Sequence, residues 1–345
     1  MKTIVKPLYL IVLLNFFLSC SKDDDKPEVQ IEPVTDVYAV GYEYDGVNDN
    51  ATIWKNGVVT TLRDGTNESI ANAIYVSGSD AYVAGYSNNG ASDVAMLWKN
   101  GVKTSLTDGT NSAQSFSVYA SEDNVYVVGR ELNGTKNVAI LWINGVKTPL
   151  TDGTNHALAK SVFVFDNDVY IAGFENNQTK SVAILWINGV KTPLTDGTNN
   201  AQAQSVYVSG NDVYVAGFEY TGTTTVAKIW KNGTPFPLSN GVNSEVATSV
   251  FASGNDVYTV GYENSGEYRI SKMWKNNLPA VVLSNVEEHS TVNSVYVLGK
   301  DVFVGGYLDN EPNPSVAKYW KNGTPTEITD GTKMAAVFGV FATTN

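Results

Sequence analysis

The sequence predicts an all-β fold, a closed seven-bladed β-propeller with four antiparallel strands per blade. Three observations predict it. Seven tryptophans recur at a near-constant interval, each interval holds four strand-like runs separated by turn residues, and the two ends of the repeat meet in phase. A repeat of about 40–45 residues built from four short strands is the pattern of a propeller blade.

The tryptophans are Trp54, Trp98, Trp142, Trp186, Trp230, Trp274 and Trp320, spaced by 44 residues five times and then by 46. Residues 138–155 and 182–199 are identical, which points to duplication within the chain. In the fifth unit the four runs begin at Ser205, Asp212, Val226 and Thr234, and are called A, B, C and D. They are rich in valine and aromatic residues, as strands are. A Ser-Gly-Asn-Asp turn or a variant separates A from B. Asn-Gly separates C from D at Asn56, Asn100, Asn144, Asn188, Asn232 and Asn322. Asn-Gly between apolar runs is the strongest short hairpin signal, because a type I′ turn needs two residues at positive φ. No stretch carries a helical period.

Strands B and C are apolar at nearly every position, as expected of a sheet covered on both faces. Strand D carries Lys147, Lys191, Pro149, Pro193 and Pro237. Lysine and proline belong on an exposed edge, where no ladder partner is lost. D is therefore expected outermost, with A lining the axis. The final run from Gly339 to Asn345 matches Ser205 to Asn211, and the first repeat residue, Asp36, matches Asp212. Counted from Trp320 through that junction to Trp54, the interval is again 44 residues. The last strand is thus expected to supply strand A to the blade of residues 36–62, which removes the open edges of a broken ring.

An apolar strand ending in glycine with a tryptophan further on resembles the Kelch-like propeller repeat. This chain departs from it, since the Kelch double glycine occurs only at Gly305-Gly306. The resemblance covers the architecture of residues 36–345 and carries no function.

The first residues point to a compartment. Lys2 and Lys6 precede a short apolar run from Leu8 to Leu18, which has the length of a secretory signal and is too short to span a bilayer. The run ends at Ser19-Cys20, and Cys20 is the one cysteine of the chain. This resembles a lipobox, which implies removal of residues 1–19 and lipidation of Cys20. The following Ser21-Lys22-Asp23-Asp24-Asp25 is similar to the surface-export signal of Bacteroidota lipoproteins, which implies the outer face of the outer membrane. Residues 20–35, polar and with two prolines, read as a flexible tether. Loss of residues 1–19 leaves 21 basic against 35 acidic residues, a net charge of −14. So acidic a chain argues against nucleic acid, and it leaves the Cys20 lipid as the one expected contact with a membrane. With Cys20 lipidated no disulfide is available, so stability must come from the core, for which 43% hydrophobic residues suffice. A monomer is expected.

Blades that run A to D put the A–B and C–D turns on one rim and the longer B–C and D–A loops on the other. Loops on a rigid scaffold usually carry function. Strand B often ends in glutamate (Glu43, Glu131, Glu175, Glu219, Glu263), and strand D is often followed by Asp-Gly-Thr (Asp64, Asp108, Asp152, Asp196, Asp330). Both sets fall on the loop-rich rim. One reading is an acidic rim that holds Ca²⁺ or accepts sugar hydroxyls. The other is structural: aspartate caps its own turn and glutamate bonds the amides of the adjacent loop. Residues repeated in most blades usually serve the blade.

An enzyme should break the symmetry with groups of its own. The breaks are Arg130 in place of Tyr or Phe, Arg269, a longer B–C loop at 308–314, and His156 and His289 in separate D–A loops. No nucleophile elbow, phosphate loop or metal-ligand spacing is present. The residues before the A-strand serine also vary (Phe116, Lys160, Gln204, Thr248, Asn293), at positions that would line the channel. The sequence points to a non-enzymatic binding or scaffold protein whose partner is a glycan or a surface protein. A carbohydrate-active hydrolase or lyase using rim carboxylates is the alternative.

Overall fold

The computed structural model describes residues 34–62, 67–121, 123–309 and 311–344. They form twenty-eight strands in seven four-stranded antiparallel sheets, with no α-helix among the described residues. No helix among them is long and apolar enough to cross a membrane. The chain is a seven-bladed β-propeller. Cys20 and the rest of the expected signal and tether up to residue 33 lie outside the described residues, as does Asp64.

Blade 1 is composite. Its B, C and D strands are Thr35–Tyr44, Asp49–Lys55 and Val58–Thr61, and its A strand is the last of the chain, Ala335–Thr344. The two ends pair in the register of an ordinary A–B hairpin: Asp36 faces Thr343 as Asp212 faces Ser209. Blades 2 to 7 follow in order over residues 69–105, 113–149, 157–193, 201–237, 244–282 and 289–327. In blade 4, strands A to D are Ala157–Phe165, Asp168–Asn176, Ser181–Ile187 and Val190–Pro193. Strand D is exposed along its full length and C is buried along most of it, so the burial follows the expected order from edge to axis.

The tight turns do more than reverse the chain. Asn56, Asn100, Asn144, Asn188, Asn232 and Asn322 all adopt φ near 50°, followed by glycine at positive φ. In blade 6 Asn277 replaces that glycine and takes the same conformation, at φ 60°. Each turn asparagine also bridges to the A–B turn beside it. Asn188 donates from Nδ2 to Asp168 Oδ1 at 2.8 Å and accepts from the Val169 amide at 2.9 Å. Asn56 and Asn276 do the same with Asp36 and Asp256. The asparagine therefore supplies both the φ and the lock between the two turns.

The core lies between blades. All seven tryptophans are at most 2% exposed. Trp186 of blade 4 packs on Val128, Ala139 and Leu141 of blade 3, and Trp54 of blade 1 packs with Ala317 of blade 7, closing the ring. Trp98 also donates from Nε1 to the Leu62 carbonyl of the preceding blade at 3.0 Å. Trp186→Ala is expected to cost about 3–5 kcal/mol, the usual range for emptying a buried aromatic site. A guanidinium unfolding curve checks it, and a loss below about 1 kcal/mol would mean that the blades close over the gap.

Strand A carries a bulge in every blade. The register against B slips by one residue, as between Ala159 and Ser161 in blade 4, leaving one extra residue on the axial side. The bulge brings the carbonyl before it so close to strand B that only glycine fits opposite. A Cβ on Gly173 would lie 2.0 Å from the Leu158 oxygen. The B-strand glycines thus answer to a strand-A carbonyl of their own blade. Serines after the bulge lace the blades together, as where Ser161 Oγ accepts from the Val206 amide of the next blade at 3.1 Å.

Two residues beyond each serine position stands an aromatic ring. Tyr75, Tyr119, Phe163, Tyr207, Phe251, Tyr296 and Phe341 touch in that order and close on themselves, with centroids 4.2 to 5.3 Å apart. Such spacing is that of favourable aromatic pairs. This axial collar holds one ring from each blade.

Candidate functional site

The B–C and D–A loops gather on one rim, and the glutamates near the end of strand B stand beside them. Their neighbours are chiefly lysines. Glu131 accepts from Lys147 Nζ at 2.9 Å and Glu175 from Lys191 Nζ at 2.7 Å, in both cases from strand D of the same blade. Glu219 and Glu263 pair with Lys228 and Lys272 of strand C. Glu43 pairs at 3.2 Å with Lys333, which comes from the D–A loop leading into its own blade. Amides contribute at two sites, Asn199 to Glu219 and Asn243 to Glu263. Burial pushes the Glu263 carboxyl up, but Lys272 and Asn243 outweigh it and hold it below the usual glutamate range. In blades 2 and 7 the position is Ser87 and Leu308.

The aspartates that follow strand D are turn caps. Asp108, Asp152, Asp196 and Asp330 each accept from the amide two residues on, in Thr110, Thr154, Thr198 and Thr332, at 2.9 Å. Three of those threonines also donate their hydroxyl to the same oxygen at 2.6–2.7 Å. The threonine bonds hold all four carboxyls below the usual aspartate range. The glycine between sits at φ of 73–79°, where a Cβ is unfavourable.

The glutamates line clefts in blades 1, 3 and 4, and a turn aspartate joins them in blades 1 and 3. In blade 3, Glu131, Lys147, Asn111, Asn133 and Asp152 line a cleft of about 270 Å³. In blade 4, Glu175, Lys191, Asn155 and Asn177 line one of about 210 Å³. In blade 1, Glu43, Lys333, Asp330 and Thr332 line one of about 320 Å³. Each offers an ion pair beside hydroxyl or amide groups. The donor set does not suit Ca²⁺, which needs six to eight oxygens. Among the described residues no three His, Cys, Asp or Glu side chains converge, and a lysine lies against each rim glutamate.

Arg130 is not in this set. It bridges blades 2 and 3, donating from Nη1 to Asn137 at 2.9 Å and from Nε to Gln114 at 3.3 Å, with Asp93 at 3.9 Å. Burial lowers the Arg130 pKa, and Asp93 works against that shift. His156 and His289 each accept a backbone amide through Nδ1, from Asn137 and Arg269, and so fasten B–C loops. The two-residue insertion borders a cavity of about 530 Å³ between blades 7 and 1, with Tyr42, Tyr307 and Phe338 in its wall. Burial, with Asp49, Tyr307 and Asp309 nearby, pushes the Tyr42 phenol up to about 12.

No protein-family model and no curated protein matches the chain. Solved structures do. One, from a study of two prolyl endopeptidases, is 11% identical with a TM-score of 0.53, over 90% of this chain and 51% of that one. The chain thus spans about half the length of that protein. Another, TolB from Acinetobacter baumannii, is 12% identical with a TM-score of 0.47, over 87% of this chain and 79% of that one. Likeness at such identity extends to the fold, and function is a matter of the site.

Proposed function

We propose that this propeller is a non-enzymatic binding protein of the cell surface, anchored in the outer membrane by a lipid on Cys20, and that it takes glycans in the repeated clefts of its loop-rich rim. The observation that carries this reading is the recurrence of one cleft, with a carboxylate, an ammonium and amide or hydroxyl groups, in blades 1, 3 and 4. Carboxylate oxygens accept from sugar hydroxyls, while lysine and asparagine donate to them. Several weak copies on one rigid rim gain avidity from a branched or repeating ligand, by a factor of about 10²–10⁴. An enzyme needs one site, whereas a multivalent binder uses many alike.

A glycan array probed with the purified protein, with and without CaCl₂, tests the reading. Binding independent of Ca²⁺ is expected. The double variant Glu131→Ala/Glu175→Ala is expected to lose avidity by about tenfold or more. Its melting temperature should fall only slightly, because the two glutamates are mostly covered but the lysines they leave behind are about half exposed and stay solvated. Failure to bind any glycan, or unchanged binding by the variant, overturns the proposal and leaves a protein partner as the occupant to seek.

A further inference from the structure

The bulge residue of strand A is the one axial position at which the blades carry different chemistry. In order around the ring it is Asn72, Phe116, Lys160, Gln204, Thr248, Asn293 and Phe338. All seven line a cavity of about 210 Å³ in the axial channel, which extends to the aromatic collar. By the direction of strand A they stand on the loop-rich side of that collar. The volume is that of about seven waters at about 30 Å³ each, which suits a small molecule and excludes a macromolecule.

The lining holds no aspartate or glutamate, and Lys160 is its one charged residue, in a chain of net charge −12. The Lys160 ammonium sits 4.5 Å above the Phe116 ring. Among the described residues no carboxylate comes within ion-pair distance of it. Burial, and then the charge of Arg130, holds it below the usual lysine range. Arg130 in turn already has Asp93, Gln114 and Asn137. A half-buried charge with no counter-charge opposes folding, so its place on the axis calls for a ligand that supplies one.

The neighbouring amides fix what else that ligand carries. Asn72 donates to the Ser115 carbonyl and Asn293 to the Val337 carbonyl, both at 2.8 Å, while Gln204 donates to Gln202 at 3.0 Å. Each amide nitrogen thus has one N–H engaged with protein and keeps a second, so these amides offer hydroxyl groups both a donor and a carbonyl acceptor. Phe116 and Phe338 add apolar faces. We propose that the axial channel is a second binding site, separate from the rim clefts, which takes a small hydroxylated carboxylate of the hexuronate type with Lys160 as its counter-charge.

Calorimetric titration of the purified protein with D-glucuronate tests this, with D-glucose and inorganic phosphate as comparators. Glucuronate is expected to bind, and glucose about tenfold more weakly or less, a difference that corresponds to about 1.4 kcal/mol. Lys160→Gln should lose that preference and melt no lower than the parent, whereas Lys160→Arg should keep it. Lys300→Gln, in an exposed A–B turn on the opposite rim, should leave glucuronate binding unchanged, and the glycan array reads the rim clefts separately, so a failure at the rim and a failure at the axis are told apart. Absence of glucuronate binding, phosphate binding in its place, unchanged affinity in Lys160→Gln, or a lower melting temperature in that variant would each overturn the assignment.

Discussion

A chain that stops at Met334 is expected to lose its cooperative fold altogether. The missing strand, Ala335–Thr344, is the A strand of blade 1 and contributes Val337, Val340 and Phe341 to the core. Burying each such side chain contributes roughly 1.5–3 kcal/mol. The sum is of the order of 5 kcal/mol or more, while a whole domain is stable by only about 5–15 kcal/mol. The truncation would also expose the inner edge of Thr35–Tyr44 and remove the partners of blade 7, whose Ser294 and Asn293 bond the Val340 amide and the Val337 carbonyl. Circular dichroism on heating should show no sharp transition, and size exclusion should show association through open edges. A transition within a few degrees of the full chain would mean that the seventh contact is dispensable.

Gly173→Ala is expected to be strongly destabilising, although it adds a single methyl group. Its Cβ would meet the Leu158 carbonyl oxygen at 2.0 Å and the Leu158 carbon at 3.0 Å. Those are backbone atoms of the paired strand just before the bulge, so no side-chain rotation relieves the clash. Forced overpacking of this kind costs about 3 kcal/mol at the upper end of its usual range. Gly134→Ala is the control, at φ +61° with nothing within 4 Å. It carries only the backbone penalty of about 1–2 kcal/mol for a left-handed conformation. Denaturation midpoints of the two variants should therefore differ clearly. Equal midpoints would show that the bulge yields.

Much of this fold was legible because a repeat amplifies weak signals. A single Asn-Gly pair suggests one hairpin, but six at the same offset, with a tryptophan two residues upstream each time, define a blade. The phase match between Asp36 and Asn345 needed only counting. What one strand does locally was harder to read. The bulge residues were visible as a variable position, yet the extra residue in strand A leaves no mark on an alternating pattern. The collar was overlooked although its signal is present, an aromatic two residues after the serine position in every blade.

The rim shows a different limit. Glu43, Glu131 and Glu219 occupy one position of the repeat, but their lysines come from a D–A loop, strand D and strand C respectively. The charge is matched in space by whichever neighbour can reach, and a sequence offset does not record that. Asp152 and Asp196 were readable, because a turn cap involves only residues two apart.

The collar has a consequence for how the molecule comes apart. In a linear array of repeats an end unit touches one neighbour and frays first, so unfolding proceeds stepwise. Here each of the seven rings touches two others, and there is no end unit. To loosen one blade at the axis is to break two ring contacts at once and leave two more blades half-supported. Seven nearly identical segments thus share one fate: amide exchange along the inner strands should proceed at a common rate set by opening of the whole ring.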